Sequence, residues 1–179
     1  MSSTQIGGFA LLAVLVFWIV GAYNRLVSLR SAITRSFPPL DAELQRRQAL
    51  LQQWLDGARP LLGEAPQTVD AVTAAEGQVR AALDAMRPRP VMPREATTLR
   101  LAEDTLGAAR QRLLAEAAAR ADGATELATQ NEALAAVDNA LGFARRQFND
   151  ASLQYNAARR QFPTWVVANL FGFRPAGTL

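Results

Sequence analysis

The chain has 179 residues, room for one domain of ordinary size beside a membrane segment, and its 19 basic residues, all arginine, exceed 16 acidic ones for a formal +3. That excess does not by itself indicate nucleic acid, and no nucleic-acid partner is expected. With no Cys and no His, the chain has no thiol nucleophile, imidazole base, disulfide or Cys/His zinc site, and the Glu-x-x-His motif of di-iron bundles cannot be written. Hydrolysis by paired carboxylates would have to use Asp41, Glu43, Glu103 and Asp104, all in helical, charge-mixed stretches. They are expected instead to pair with arginines three or four positions away. The expectation is a non-enzyme with no cofactor and no metal.

No charged side chain occurs from Met1 to Asn24, and "IGGFALLAVLVFWIVGAY" approaches the roughly 20 residues a helix needs to cross hydrocarbon. After a short tail, residues 1–5, we read residues 6–24 as a transmembrane helix rather than a cleaved signal, because no basic region precedes the run and no small-x-small site follows it. Trp18 and Tyr23 suit an aromatic belt, and Gly7 and Gly8 offer a surface for close helix pairing. Arg25, Arg30 and Arg35 follow the span and nothing basic precedes it. The positive-inside rule then puts the amino terminus outside and the remainder in the cytoplasm of a bacterial inner membrane.

Residues 25–162 read as a helical bundle. Apolar spacing through Leu26, Val27, Leu29 and Ile33 is interrupted by "SFPP", where the helix is expected to kink or to restart at Pro38. The next stretch carries Leu40, Leu44, Leu51, Leu55 and Leu62 on one stripe, with Arg46 and Arg47 off it. A helix over 66–86 has Val69, Val72, Val79 and Leu83 at helical spacing; "RPRPVMPRE" breaks it. Another from Arg94 to about Ala121 carries Leu99, Leu106, Leu113 and Leu114, closed by "ADGA". The last begins between Leu127 and Gln130 and ends at Phe162, before Pro163. No strand alternation occurs, so the fold class is all-α: a membrane helix and an antiparallel bundle of about four long helices.

In the last of these helices, Leu134, Leu141, Phe148, Tyr155 and Phe162 recur every seven residues, with Val137, Ala144, Ala151 and Ala158 between them. This makes a seam that takes up the aromatics, leaving Tyr155 in need of a hydroxyl partner. Arg145 and Arg159 flank the seam, Arg146 and Arg160 point to solvent, and Asn149 and Asn156 share a position from which an amide reaches a loop or neighbouring helix. Arg46, Arg47, Arg145, Asn149, Asp150, Asn156 and Arg159 are the candidate helix or subunit contacts. Because an up-down bundle returns its fourth helix to the membrane, residues 163–179 are expected there as an amphipathic segment, with Trp165, Val166, Leu170, Phe171 and Phe173 in the interface and Arg174 at the headgroups. The alternative is a cap folded back on the bundle.

Taken together, "YNRLVSLR" after the span, "DAELQRR" at 41–47, "ARRQFND" at 144–150, "YN" at 155–156, "FP" at 162–163 and "GF" at 172–173 resemble the LemA family of bacterial single-span membrane proteins. The resemblance departs after "QRR", where "QALLQQWL" replaces the family's usual run. It implies a membrane-anchored helical domain, and through a magnetosome relative implicated in membrane invagination, a scaffolding role. The expected partners are the lipid bilayer, further copies of the chain and other membrane proteins; the alternative role is an accessory of a signalling, secretion or envelope-stress system.

Overall fold

The computed structural model describes residues 3–62, 66–118 and 128–179, and all secondary structure among them is helical. Five helices follow in order: α1, Ser3–Leu62; α2, Pro66–Met86; α3, Pro93–Ala118; α4, Ala128–Arg160; and the short α5, Thr164–Leu170. The expected closure of the third helix at "ADGA" lies outside the described residues, and the fourth helix begins at Ala128, within the expected range of Leu127 to Gln130.

The expected restart at Pro38 does not occur: α1 runs unbroken through "SFPP" for 60 residues, about 90 Å at 1.5 Å per residue. Each proline removes one backbone donor, leaving the carbonyls of Thr34 and Arg35 without their usual acceptances. Those residues and both prolines face solvent, where water satisfies the carbonyls, while Phe37, Leu40 and Leu44 are buried on the opposite face. Packing of that face holds the helix through a local sequence that would break an isolated one.

α1 lies against α4, and α2 against α3, as the two most intimate pairs. Phe37 meets Phe148 with ring centroids 6.4 Å apart, and ten residues further along α1, Arg47 faces Asp138, ten residues earlier on α4. The two helices therefore run antiparallel in a constant register. α3 turns back along α2 through the turn at 87–92, so that Thr68 donates a hydrogen bond to Glu116 at 2.7 Å. The result is an up-down-up-down bundle, α1 continuing past it at its amino-terminal end. Leucines 40, 44, 51 and 55, Val69, Val72, Val79, Leu83, Leu99, Leu106 and Leu113 are all buried, as their spacing predicts; Leu114 is instead 39% exposed.

The core contains a charged layer. Leu26, Ile33, Leu40 and Trp54 recur at seven-residue intervals on α1 and are buried, and Arg47, in the same column, is only 7% exposed. This corrects its assignment off the apolar stripe: leucine spacing alone does not mark position 47, whereas the heptad count from Leu40 to Trp54 passes through Arg47. Its guanidinium binds Glu103 of α3 through both carboxylate oxygens, Nη1 to Oε2 at 2.7 Å, and approaches Asp138 of α4 at 3.9 Å, which Arg110 of α3 also holds at 3.1 Å. Glu76 takes the core column between Val69 and Leu83 on α2 and is 5% exposed, with Oε1 accepting no hydrogen bond. Burial raises its pKa, and Arg80, Gln48 and Arg47 oppose that rise. All four long helices contribute, so the layer fixes their relative heights, as a polar residue at a core heptad position fixes register in coiled coils.

Candidate membrane interface

α4 and α5 come back to α1 where its apolar run ends. Trp18 meets Phe162 at 5.9 Å with the rings tilted by 45°, and Tyr23 meets Phe171 and Phe173 edge-on at 5.1 and 5.5 Å. Phe162 had been expected on the buried seam of the fourth helix; α4 stops at Arg160, and Phe162 is 76% exposed beside Trp18. The rest of the seam, Leu134 through Ala158, is buried or half-buried.

α5 is short but cleanly two-faced. Thr164, Val167 and Ala168 are buried, while Trp165, Val166, Asn169 and Leu170 occupy the opposite arc, with Leu170 71% exposed. The Thr164 hydroxyl donates to the carbonyls that end α4, those of Gln161 at 2.9 Å and Ala158. At the other end Gly172 adopts φ +68, and the N–H groups of Gly172 and Phe173 bond back to the carbonyls of Asn169 and Ala168. This is the helix-ending motif in which a left-handed residue is needed and glycine supplies it without a side-chain clash.

The same end of the molecule is electrically one-sided. Residues 1–40 and 151–179 contain no Asp or Glu, but they hold Arg25, Arg30, Arg35, Arg159, Arg160 and Arg174; every acidic residue lies between 41 and 150. Along the projecting part of α1 the apolar side chains stand exposed, among them Ile6, Phe9, Leu11 and Phe17. Among the described residues this is the one helix long and apolar enough to cross a membrane. At its inner end this apolar run touches Phe162 through Trp18 and Phe171 through Tyr23, with Trp165 and Leu170 exposed on α5.

Beyond Gly172 the chain leaves this surface and straps itself along α4. The Tyr155 hydroxyl donates to the Arg174 carbonyl at 2.8 Å, the partner its burial required, and Arg159 Nη1 donates to the Phe173 carbonyl at 3.4 Å. Burial raises the Tyr155 pKa, against the pull of Arg30 and Arg159. Asn156 donates to the Ala176 carbonyl and accepts from its N–H, at 2.9 and 2.8 Å; Asn149 does the same for Leu179 at 2.7 and 2.8 Å. The two asparagines, seven residues apart on a helix, are about 10.5 Å apart along its axis. Three residues of extended chain rise roughly 9–10 Å, so one heptad of α4 matches one Ala176-to-Leu179 step. Between them Gly177 donates to the Val91 carbonyl at 3.2 Å and sits so close to the α2–α3 turn that a Cβ would lie 2.6 Å from that of Ala96 and 2.8 Å from Pro93 Cα.

The expected contact residues thus divide. Arg47, Asn149, Asn156 and Arg159 make contacts within the chain. Arg145 is half-buried beside Leu141 and Leu179. Arg46 is exposed near Glu43, and Asp150 is exposed on the outer face of α4. Of the expected interface set, Trp165, Val166, Leu170, Phe171 and Arg174 are exposed and Phe173 is half-buried. Within residues 163–179, α5 presents an exposed apolar face, and 173–179 fold back on the bundle. The carboxylates weighed for hydrolysis are apart from one another in role. Glu103 is tied to Arg47, Asp41 pairs at 2.9 Å with Arg87 of the α2–α3 turn rather than with a near neighbour in sequence, Glu43 lies 4.0 Å from Arg46, and Asp104 is exposed.

Comparison with protein-family models matches residues 36–179 to the LemA family. No curated protein matches the chain.

Proposed function

The chain belongs to the LemA family, and on that premise we propose that it is a non-enzymatic scaffold of the bacterial inner membrane. It crosses the bilayer once through the start of α1, amino terminus outside and bundle in the cytoplasm, and it assembles with further copies to organise or shape the membrane. The observation that carries this reading is the segregation at one end of the molecule, where an exposed apolar helix and an aromatic collar adjoin six arginines without an acidic residue. An excess of Arg beside an apolar run is what holds a segment on the cytoplasmic side and what anionic leaflets attract.

The absence of cysteine makes the test clean. Single cysteines at Gly7, Gly8, Phe143 or Leu153 are crosslinked in native membranes, and a ladder of dimers and higher species is the expected result. Neither glycine has any atom within 4 Å of a built Cβ, so these substitutions leave the chain's own packing alone. Only monomer at every position, with no other protein captured, defeats the reading. A second reading, an accessory that docks on one signalling, secretion or envelope-stress protein, draws on Phe143 and Leu153, exposed at 57% and 56% on α4. Capture of a single dominant heterologous protein through those two positions favours it over self-assembly.

A further inference from the structure

Between α1 and the turn that follows α5 lies an open cavity of about 240 Å³, lined by Tyr23, Val27, Arg30, Ser31, Phe171 and Phe173 together with Gly172. Its polar groups are unspent. Among the described residues no carboxylate lies within ion-pair reach of Arg30, and Ser31 makes no hydrogen bond through its hydroxyl; outside the lining, Arg159 donates to the Phe173 carbonyl and its Nε is buried without an acceptor. Arg30 is exposed and lines the cavity, and it lies near enough to Tyr155, as Arg159 does, to hold back the rise of that phenol's pKa.

We propose that this cavity binds the phosphate of an anionic phospholipid, Arg30 and the Ser31 hydroxyl engaging the headgroup while Tyr23 and Phe171 flank the glycerol and first methylenes. The inference rests on the membrane seating proposed above and names the lipid class it selects. The height fits. Tyr23 closes the apolar run, and Arg30 stands seven residues on, about 10 Å along the helix. Each headgroup layer is roughly 5–8 Å deep, so a phosphate leaving the hydrocarbon at Tyr23 arrives within reach of a guanidinium extended from position 30. Guanidinium is the side chain suited to phosphate, with its planar fork of donors. The surrounding arginines, with no acid among them, disfavour a choline or ethanolamine cation and favour a net negative headgroup. The aromatic wall separates a lipid from free phosphate, which has no use for it.

The test uses the full chain in detergent, with bound molecules counted by native mass spectrometry against dioctanoyl phosphatidylglycerol, dioctanoyl phosphatidylcholine and glycerol phosphate. The wild-type chain is expected to retain one phosphatidylglycerol in preference to phosphatidylcholine, and glycerol phosphate far less. Arg30→Gln is expected to weaken that retention about ten-fold, the loss of one charge-assisted contact, with Arg30→Lys intermediate and Arg46→Gln unchanged. Among the described residues the Arg30 side chain makes no ion pair or hydrogen bond, so the thermal midpoint of Arg30→Gln by circular dichroism should equal the wild type's. Equal retention of the two lipids, retention unaffected by Arg30→Gln, or glycerol phosphate bound as tightly as the lipid each overturns the proposal. Carbonate extraction of cells separates the two failures: a wild-type chain released to the soluble fraction defeats the membrane seating, whereas a chain that stays with the membrane but retains no phosphatidylglycerol defeats only the cavity.

Discussion

A guanidinium in the core of a helical bundle is tolerable only while its partners hold their places. With a side chain 9% exposed, Arg47 depends on Glu103, itself 13% exposed, and on the weaker approach to Asp138. Arg47→Ala leaves the half-buried Glu103 unpaired, and breaking a pair that is itself largely desolvated costs about 3–5 kcal/mol. At 2–4 °C per kcal/mol for a chain of this size, the thermal midpoint in detergent should fall by roughly 6–20 °C. The paired replacement Arg47→Met with Glu103→Leu removes both charges and should restore most of that loss, as the same melting experiment will show; a double variant as unstable as the single one contradicts the argument. Glu76 adds a pH dependence. Its folded pKa lies above the ordinary 4.5, so folding favours its protonated form. The stability it contributes is full below about pH 4.5 and is lost as pH rises through the raised value. Glu76→Gln should therefore be more stable than wild type at pH 7 and lose that advantage toward pH 4.5, read from paired melting curves.

At the scale of elements, α4 and the strap behave as one unit. Asn156→Ala removes both bonds to Ala176 and leaves a buried N–H unsatisfied, a penalty of about 1–3 kcal/mol, and amide exchange of residues 176–179 should quicken while that of α2 stays unchanged. Gly177→Ala drives a methyl group against the backbone of Pro93 and should loosen the same residues without touching either asparagine. The helices themselves were legible because their apolar columns repeat every seven residues and lie close in sequence. What periodicity does not carry is pairing at a distance. Arg47 meets a partner 56 positions away, and Asp41 one 46 positions away. Asn149 and Asn156 could be placed beside the seam, but that they bind the backbone of the chain's own residues 176 and 179 depended on how the segment after α5 turns at Gly172. The prolines misled for a related reason: local propensity marks where a helix is weak, and burial of Phe37 and Leu40 decides whether it breaks.

For the molecule as a whole, the proposed seating makes a positional prediction that leaves the core alone. A spin label on Leu170→Cys, at a side chain 71% exposed, should in membranes be accessible to oxygen and shielded from an aqueous nickel chelate, while one on Gln147→Cys, exposed on the middle of α4, should show the opposite. Equal chelate access at both sites removes α5 from the bilayer surface. Seated in this way, the unbroken α1 becomes a lever. From Asn24 to Leu62 it extends about 57 Å, so the tilt of about 20° that spanning helices commonly adopt sweeps its far end through some 20 Å. A chain whose first helix restarted at Pro38 would absorb that rotation at the joint. In this one, a change in bilayer thickness or curvature is delivered, magnified, to the end of the bundle farthest from the lipid.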